Sequence, residues 1–150
     1  MADELPDIQI FNQTNVSIPL EQSFCEAIAK QLSDKEECSF DFVEVVYVDE
    51  DKIVQINSEH LDRDYITDII TFRYDDSNHN KEIEGTMFCC APRIVEQAKE
   101  FNESPEREFL RIYIHGLLHL AGYEDQSPVQ KEQMTQKEEF YLEIAAKRQE

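Results

Sequence analysis

The stretch Ile114-His115-Gly116-Leu117-Leu118-His119-Leu120-Ala121-Gly122-Tyr123-Glu124-Asp125 decides how the rest of the chain reads. His115 and His119 are four residues apart in an apolar helical run, so both imidazoles stack on one helix face within reach of a single metal ion. Gly122 falls where a helix commonly ends on a left-handed residue. A chain turning back there lets Asp125 offer a third ligand from beyond the helix. Two nitrogens and a carboxylate oxygen leave the fourth position of a tetrahedral Zn²⁺ open, as in catalytic rather than structural sites. The competing reading is a core helix whose histidines fall at helical spacing and bind nothing. Glycine usage weighs against it. The chain has only three glycines, Gly85, Gly116 and Gly122, where average usage gives about ten. A mid-helix glycine costs about 1 kcal/mol relative to alanine, so Gly116 implies that something approaches that backbone closely. A metal-dependent hydrolase is the expectation.

Outward from this segment, Ser104-Pro105-Glu106 supplies a cap, a first-turn proline and an acid in helix-start order. The helix it opens runs to Ala121. Phe109, Leu110, Tyr113, Ile114, Leu117, Leu118 and Ala121 make it apolar over most of its circumference, which places it in the middle of the fold. Ser127-Pro128 starts a last helix, with Val129, Met134, Phe140, Tyr141 and Ile144 as its expected buried residues. Upstream, Pro92 opens a helix to about Phe101. Ile69–Phe72 and Ile83–Cys90 read as antiparallel strands around the polar loop at residues 75–81. Asp49 reads as the cap of a short helix reaching about His60, and the β-branched run Phe40–Val48 as a buried strand. Leu20, Phe24, Ala27, Ile28 and Leu32 define an amphipathic helix with Cys25 beside its buried stripe. Ile8, Ile10 and Val16 suggest an edge strand before a turn near Pro19. The order implies one α+β domain over residues 1–150, a small mixed four-stranded sheet covered by about five helices. The metal site sits at the C-terminal end of the central helix.

The chain has 150 residues, 41% hydrophobic and 31% charged, enough for a real core. Its acidic start lacks the basic and apolar regions of a signal peptide, and no apolar run approaches the ~20 residues that cross a bilayer. A cytoplasmic protein with no membrane partner is expected. Cys25, Cys38, Cys89 and Cys90 show no Cys-x-x-Cys spacing and read as ordinary buried thiols in a reducing compartment. A ligand role for Cys89 or Cys90 is the lesser reading. His60 and His79, in polar surroundings, read as surface residues. The formal net charge of −19 repels a polyanion at long range. A nucleic-acid substrate would need a local basic groove or delivery by a partner; otherwise the acid is solvated surface.

The segment His115–Asp125 resembles the signature of the YbeY family, bacterial metal-dependent endoribonucleases of ribosomal RNA maturation. That family reads His-Gly-x-Leu-His-Leu-x-Gly-Tyr-Asp-His. Ile56-Asn57, then Asp64, then Thr67-Asp68-Ile69-Ile70-Thr71-Phe72 resembles its second block, Leu-Asn…Asp…Thr-Asp-Val-Leu-Ser-Phe. Gly85 leading into a strand and a helix ending at Gln97-Ala98 is a third match. The similarity spans about residues 40 to 145 with element order intact. It implies a single-strand-specific endoribonuclease acting in 16S ribosomal RNA 3′-end maturation and ribosome quality control. It also implies Zn²⁺ or another divalent transition metal on His115, His119 and Asp125. The implied partners are RNA, the small ribosomal subunit and its assembly factors, and not DNA. Three positions depart from the pattern: Asp125 replaces the family's third His, Leu61 its Arg, and Thr86 the Asp that follows its Gly.

RNA hydrolysis needs a cation against the phosphate charge, and Arg63 and Arg111 are the candidates. Arg63 lies two residues after Leu61, and Arg111 one turn before His115. A structural salt bridge to Glu108 or another acid is the alternative for each of them. Asn57, Asp64, Thr67 and Asp68 either line the cleft, as the resemblance implies, or form turns before a strand. Thr67 and Asp68 lean to the turn role. Two other functions share the metal motif. Ligand spacing with Gly122 between matches metzincin peptidases, but the general-base Glu after the first His is Gly116 here. A metal-stabilised assembly factor without catalysis is the other; there, metal removal would cost folding stability rather than activity alone.

Overall fold

In the computed structural model, residues 5–74 and 82–148 are described. The loop at 75–81, His79 with it, and the acidic start at 1–4 lie outside them. Among the described residues the chain forms β1 (Asp7–Asn12), α1 (Gln22–Lys35), β2 (Phe40–Val48), α2 (Glu50–Leu61), β3 (Ile69–Arg73), β4 (Ile83–Cys90), α3 (Ala91–Glu100), α4 (Pro105–Leu120) and α5 (Pro128–Arg148). The sheet order is β1-β2-β4-β3. β2, the strand richest in β-branched residues, pairs in parallel with β1 and with β4. β3 joins the far side of β4 antiparallel, pairing Ile69 with Cys89 and Phe72 with Thr86. This is the mixed four-stranded α+β sheet that the element order implied.

The sheet buries both faces to different depths. On one face Val43, Val45 and Tyr47 of β2 join Ile8, Ile83, Met87 and Cys89 against α1, α4 and α5, forming the main core. On the other, Val46, Val48, Ile70 and Cys90 form a smaller cluster with Ile53 and Ile56 of α2, with Val54, Phe72 and Phe88 partly buried against it. α4 lies inside the larger layer, between α3, α5 and the β3 side of the sheet. Phe109, Ile112, Tyr113, Ile114, Leu117 and Leu118 are all at most 2% exposed, so the helix carrying the two histidines is anchored nearly all round. Each such side chain contributes about 1.5–3 kcal/mol of burial.

Both ends of α4 follow from local chemistry. Ser104 Oγ accepts the Arg107 N–H, with Pro105 in the first turn. At the other end Gly122 takes φ +110°, and the Gly122 and Tyr123 amides donate to the His119 and Leu118 carbonyls, each at 3.0 Å. That pair of bonds is a Schellman motif, and it needs the left-handed residue. Gly116 serves close approach instead: a Cβ there would lie 2.5 Å from Met87 Sδ and 2.9 Å from Ile69 Cδ1.

Several expectations shift. β1 ends before Val16, because Asn12 Oδ1 takes the Thr14 amide and turns the chain. The buried stripe of α1 is Cys25, Ile28, Ala29 and Leu32, with Cys25 in it rather than beside it and Phe24 only half-buried. Asp49 occupies the cap position of α2 without a side-chain cap bond. On α5, Val129 and Phe140 are 76% and 49% exposed, and the buried residues are Met134, Glu138, Tyr141, Leu142 and Ala145. A carboxylate in the buried stripe displaced the apolar count. The cysteines are free thiols, and burial pushes Cys25 up to about 12 and Cys38 up to about 11.

A methyl group at Gly85 would meet the Phe72 carbonyl oxygen at 2.6 Å, whereas one at Gly116 meets only side-chain tips. Gly85→Ala is therefore expected to cost about 1–3 kcal/mol and Gly116→Ala less, measured by urea denaturation. Equal costs would show that the backbone clash at Gly85 relaxes freely.

Candidate metal centre

α4 stacks His115 and His119 with their Nε2 atoms 3.0 Å apart. The Schellman turn carries the chain back, and Asp125 Oδ2 comes to 3.4 Å from His115 Nε2 and 3.6 Å from His119 Nε2. In a tetrahedral site with bonds of about 2.0–2.1 Å, ligand atoms stand about 3.3 Å apart. The triangle of 3.0, 3.4 and 3.6 Å brackets that edge. These three residues are a group able to hold one ion.

What lies behind the rings fixes their chemistry. His115 Nδ1 is 2.6 Å from Glu138 Oε2, and His119 Nδ1 is 2.9 Å from the Tyr123 carbonyl. A carboxylate and a carbonyl only accept, so each Nδ1 carries the proton and each Nε2 presents a lone pair. Burial lowers the pKa of His119, and the neighbouring His115 adds to this, against the pull of Asp125. The neutral ring is favoured. Three acceptors then face one another with no donor among them. Repulsion of that kind is relieved by a cation held in common, and the donor set of two imidazoles and a carboxylate suits Zn²⁺.

Further support comes from α1. Glu36 accepts hydrogen bonds from Tyr123 Oη (2.5 Å), Lys137 Nζ (3.0 Å) and Tyr141 Oη. Burial alone would raise the Glu36 pKa, but these bonds hold it below the usual carboxylate value. They pin the residue whose carbonyl orients His119.

Beside the triad opens a cleft of about 280 Å³ lined by Asn57, Arg63, Thr67, Asp68, Thr71 and the three putting their donor atoms together, among others. Arg63 is exposed and makes no ion pair among the described residues; Leu61, at the family's Arg position, lines the same cleft. Arg111 is elsewhere. Its guanidinium donates to Glu108 (Nε, 3.0 Å) and Glu138 (Nη1, 3.1 Å), the salt-bridge alternative the sequence allowed. Burial disfavours its charge, yet the Glu108 and Glu138 contacts raise its pKa overall.

Asn57 is 1% exposed and donates to the Tyr65 carbonyl at 2.9 Å. Asp68 has both roles: its carbonyl accepts the Cys90 amide, and its side chain faces the cleft and accepts from Gln97. Asp64 is exposed and does not line the cleft. Thr86 lies on the sheet face opposite α4, bonded to Glu44 and Tyr74, so that departure is away from the triad. His60 is exposed, its ring against Phe72. Glu138 and Glu36 escaped sequence reading, and Gln97 entered it only as the end of the third family match. The one signal for Glu138 was its place four residues after Met134 and three before Tyr141 on the last helix.

A family model described as Endoribonuclease YbeY matches residues 8–146. An endoribonuclease YbeY of Chlorobium limicola is 41% identical over 135 residues, 90% of each chain. Another, of Chlorobium phaeobacteroides, is 36% identical over 90% of this chain and 94% of its own. The solution structure of a Thermotoga maritima protein aligns with a TM-score of 0.61 and 29% identity, covering 92% of this chain and 88% of that one.

The geometry predicts one divalent metal ion per chain, lost in His119→Ala, by elemental analysis after gel filtration. A full equivalent in His119→Ala would place the ligands elsewhere.

Proposed function

The chain belongs to the YbeY endoribonuclease family, and from that footing we propose that it is a metal-dependent, single-strand-specific endoribonuclease of ribosomal RNA processing. Its tasks are 16S 3′-end maturation and ribosome quality control. The observation that carries this is the acceptor triangle of His115, His119 and Asp125 opening onto a cleft that is also lined by Arg63, which makes no ion pair among the described residues.

Zn²⁺ held by His115, His119 and Asp125 would lower the pKa of a bound water towards neutrality and would polarise a phosphoryl oxygen as a Lewis acid. The protein's own residues do the rest. Glu138 and the Tyr123 carbonyl hold the Nδ1 protons of His115 and His119, which turns each Nε2 towards the shared site. Arg63 meets a backbone phosphate, in the cleft where Leu61 cannot. Thr67, Asp68 and Thr71 line the wall along which a single strand lies. Arg111 acts behind the site, through Glu138, rather than on phosphate.

RNA is the substrate, and the small ribosomal subunit with its assembly factors delivers it, since a chain of net charge −19 attracts no free polyanion. Work in the cytoplasm, as a single domain, fits this role; no described helix is long and apolar enough to cross a membrane. A peptidase has less support. Gly116 faces Met87 where its general base would stand, and Glu108, on the same helix, is buried against Arg111 and Gln97.

Cleavage of a labelled single-stranded RNA should stop with chelator and return with Zn²⁺. Arg63→Ala should lose about tenfold to a hundredfold in rate, matching a charge-assisted hydrogen bond of about 1.5–3 kcal/mol. An unchanged Arg63→Ala rate, or cleavage indifferent to chelator, would contradict this function.

A further inference from the structure

We propose that Glu138 of α5 is a positioning residue of the metal centre, held by a buried relay through Arg111, Glu108 and Gln97 to Asp68 on the opposite cleft wall. This rests on the metal reading of His115, His119 and Asp125.

Glu138 occupies a stripe whose other members are apolar, and its side chain is 5% exposed. A carboxylate buried there is costly unless every lone pair is used. Both oxygens are engaged: Oε2 with His115 Nδ1 at 2.6 Å, Oε1 with Arg111 Nη1 at 3.1 Å. Arg111 is fixed in turn by Glu108, 1% exposed. Gln97 Nε2 then donates to Glu108 Oε2 and to Asp68 Oδ2, each at 3.2 Å, which ties α3 and α4 to the segment entering β3. Four separate elements thus converge on the orientation of one imidazole.

Glu108 and Glu138 face a single guanidinium, that of Arg111, so two buried carboxylates share one cationic partner behind the acceptor triangle. Partners behind a ligating imidazole fix its tautomer and raise its basicity, and their loss typically weakens metal binding about 10–100-fold.

The test is Zn²⁺ affinity of the full chain, by competition with a chromophoric chelator, for wild type, His119→Ala, Glu138→Gln, Glu138→Ala and Arg111→Ala. Glu138→Ala should bind about 10–100-fold more weakly. Glu138→Gln should fall between, because its amide oxygen still accepts from Nδ1 while its NH₂ opposes Arg111, and being nearly isosteric it preserves the fold if the alanine variant does not. Arg111→Ala should lose less than Glu138→Ala. Nitrogen chemical shifts of the metal-free protein give a second readout: His115 should hold its proton on Nδ1 in wild type and become a tautomer mixture in Glu138→Ala. Wild-type uptake lost in His119→Ala, with both Glu138 variants within twofold of wild type and the His115 tautomer unchanged, overturns the inference alone. A wild type that takes up no Zn²⁺ overturns the metal reading as well.

Discussion

Three hydrogen-bond acceptors held within 3.0–3.6 Å of one another, with their donors facing away, form the constraint on which the structure depends. The proximity is unfavourable without a shared cation, so the surrounding fold has to impose it. Burial of α4 on nearly all sides fixes the two rings. Gly116 lets that helix settle against Met87 and Ile69, and the left-handed Gly122 returns the chain so that Asp125 meets the rings. Each of these features has a local price, a mid-helix glycine or a forced turn, that only the assembled site explains.

Electrostatics divides the molecule into two scales. At long range the chain is strongly acidic and repels RNA. Within the cleft, Arg63 stands among the lining residues with Asp68 and Asp125, and Glu138 lies behind His115. Local capture and long-range repulsion coexist when a partner brings the substrate, since fields between exposed charges are screened within about 8–10 Å at physiological salt. With Leu61 at the family's Arg position, the arginine that lines the cleft is Arg63, two positions on and past the left-handed Asp62 that ends α2.

Much of this was legible in the residues. The i, i+4 histidines, the Ser-Pro-Glu start of α4, the β-branched run of β2 and the scarcity of glycine each carry a local physical rule, and each appears where the rule puts it. What was not legible depends on contacts across the chain. Arg111 shares the helix with His115, and Glu108, three residues before it, was the legible partner; the second carboxylate, Glu138, comes from 27 residues later. The same glutamate hid the packing face of α5, since hydrophobic counting favours Phe140 over a buried acid. Glu36 joins Tyr123 and Tyr141 from 87 and 105 residues away, a separation no spacing pattern encodes.

X-ray absorption at the zinc edge of the loaded protein addresses the centre directly. Two imidazoles and a carboxylate predict a shell of nitrogen and oxygen neighbours at about 2.0–2.2 Å, with the outer-ring scattering of two histidines and no sulfur. A sulfur shell at about 2.3 Å would assign the ion to the cysteines, and a shell lacking imidazole would remove it from α4; either contradicts a metal centre built on His115, His119 and Asp125.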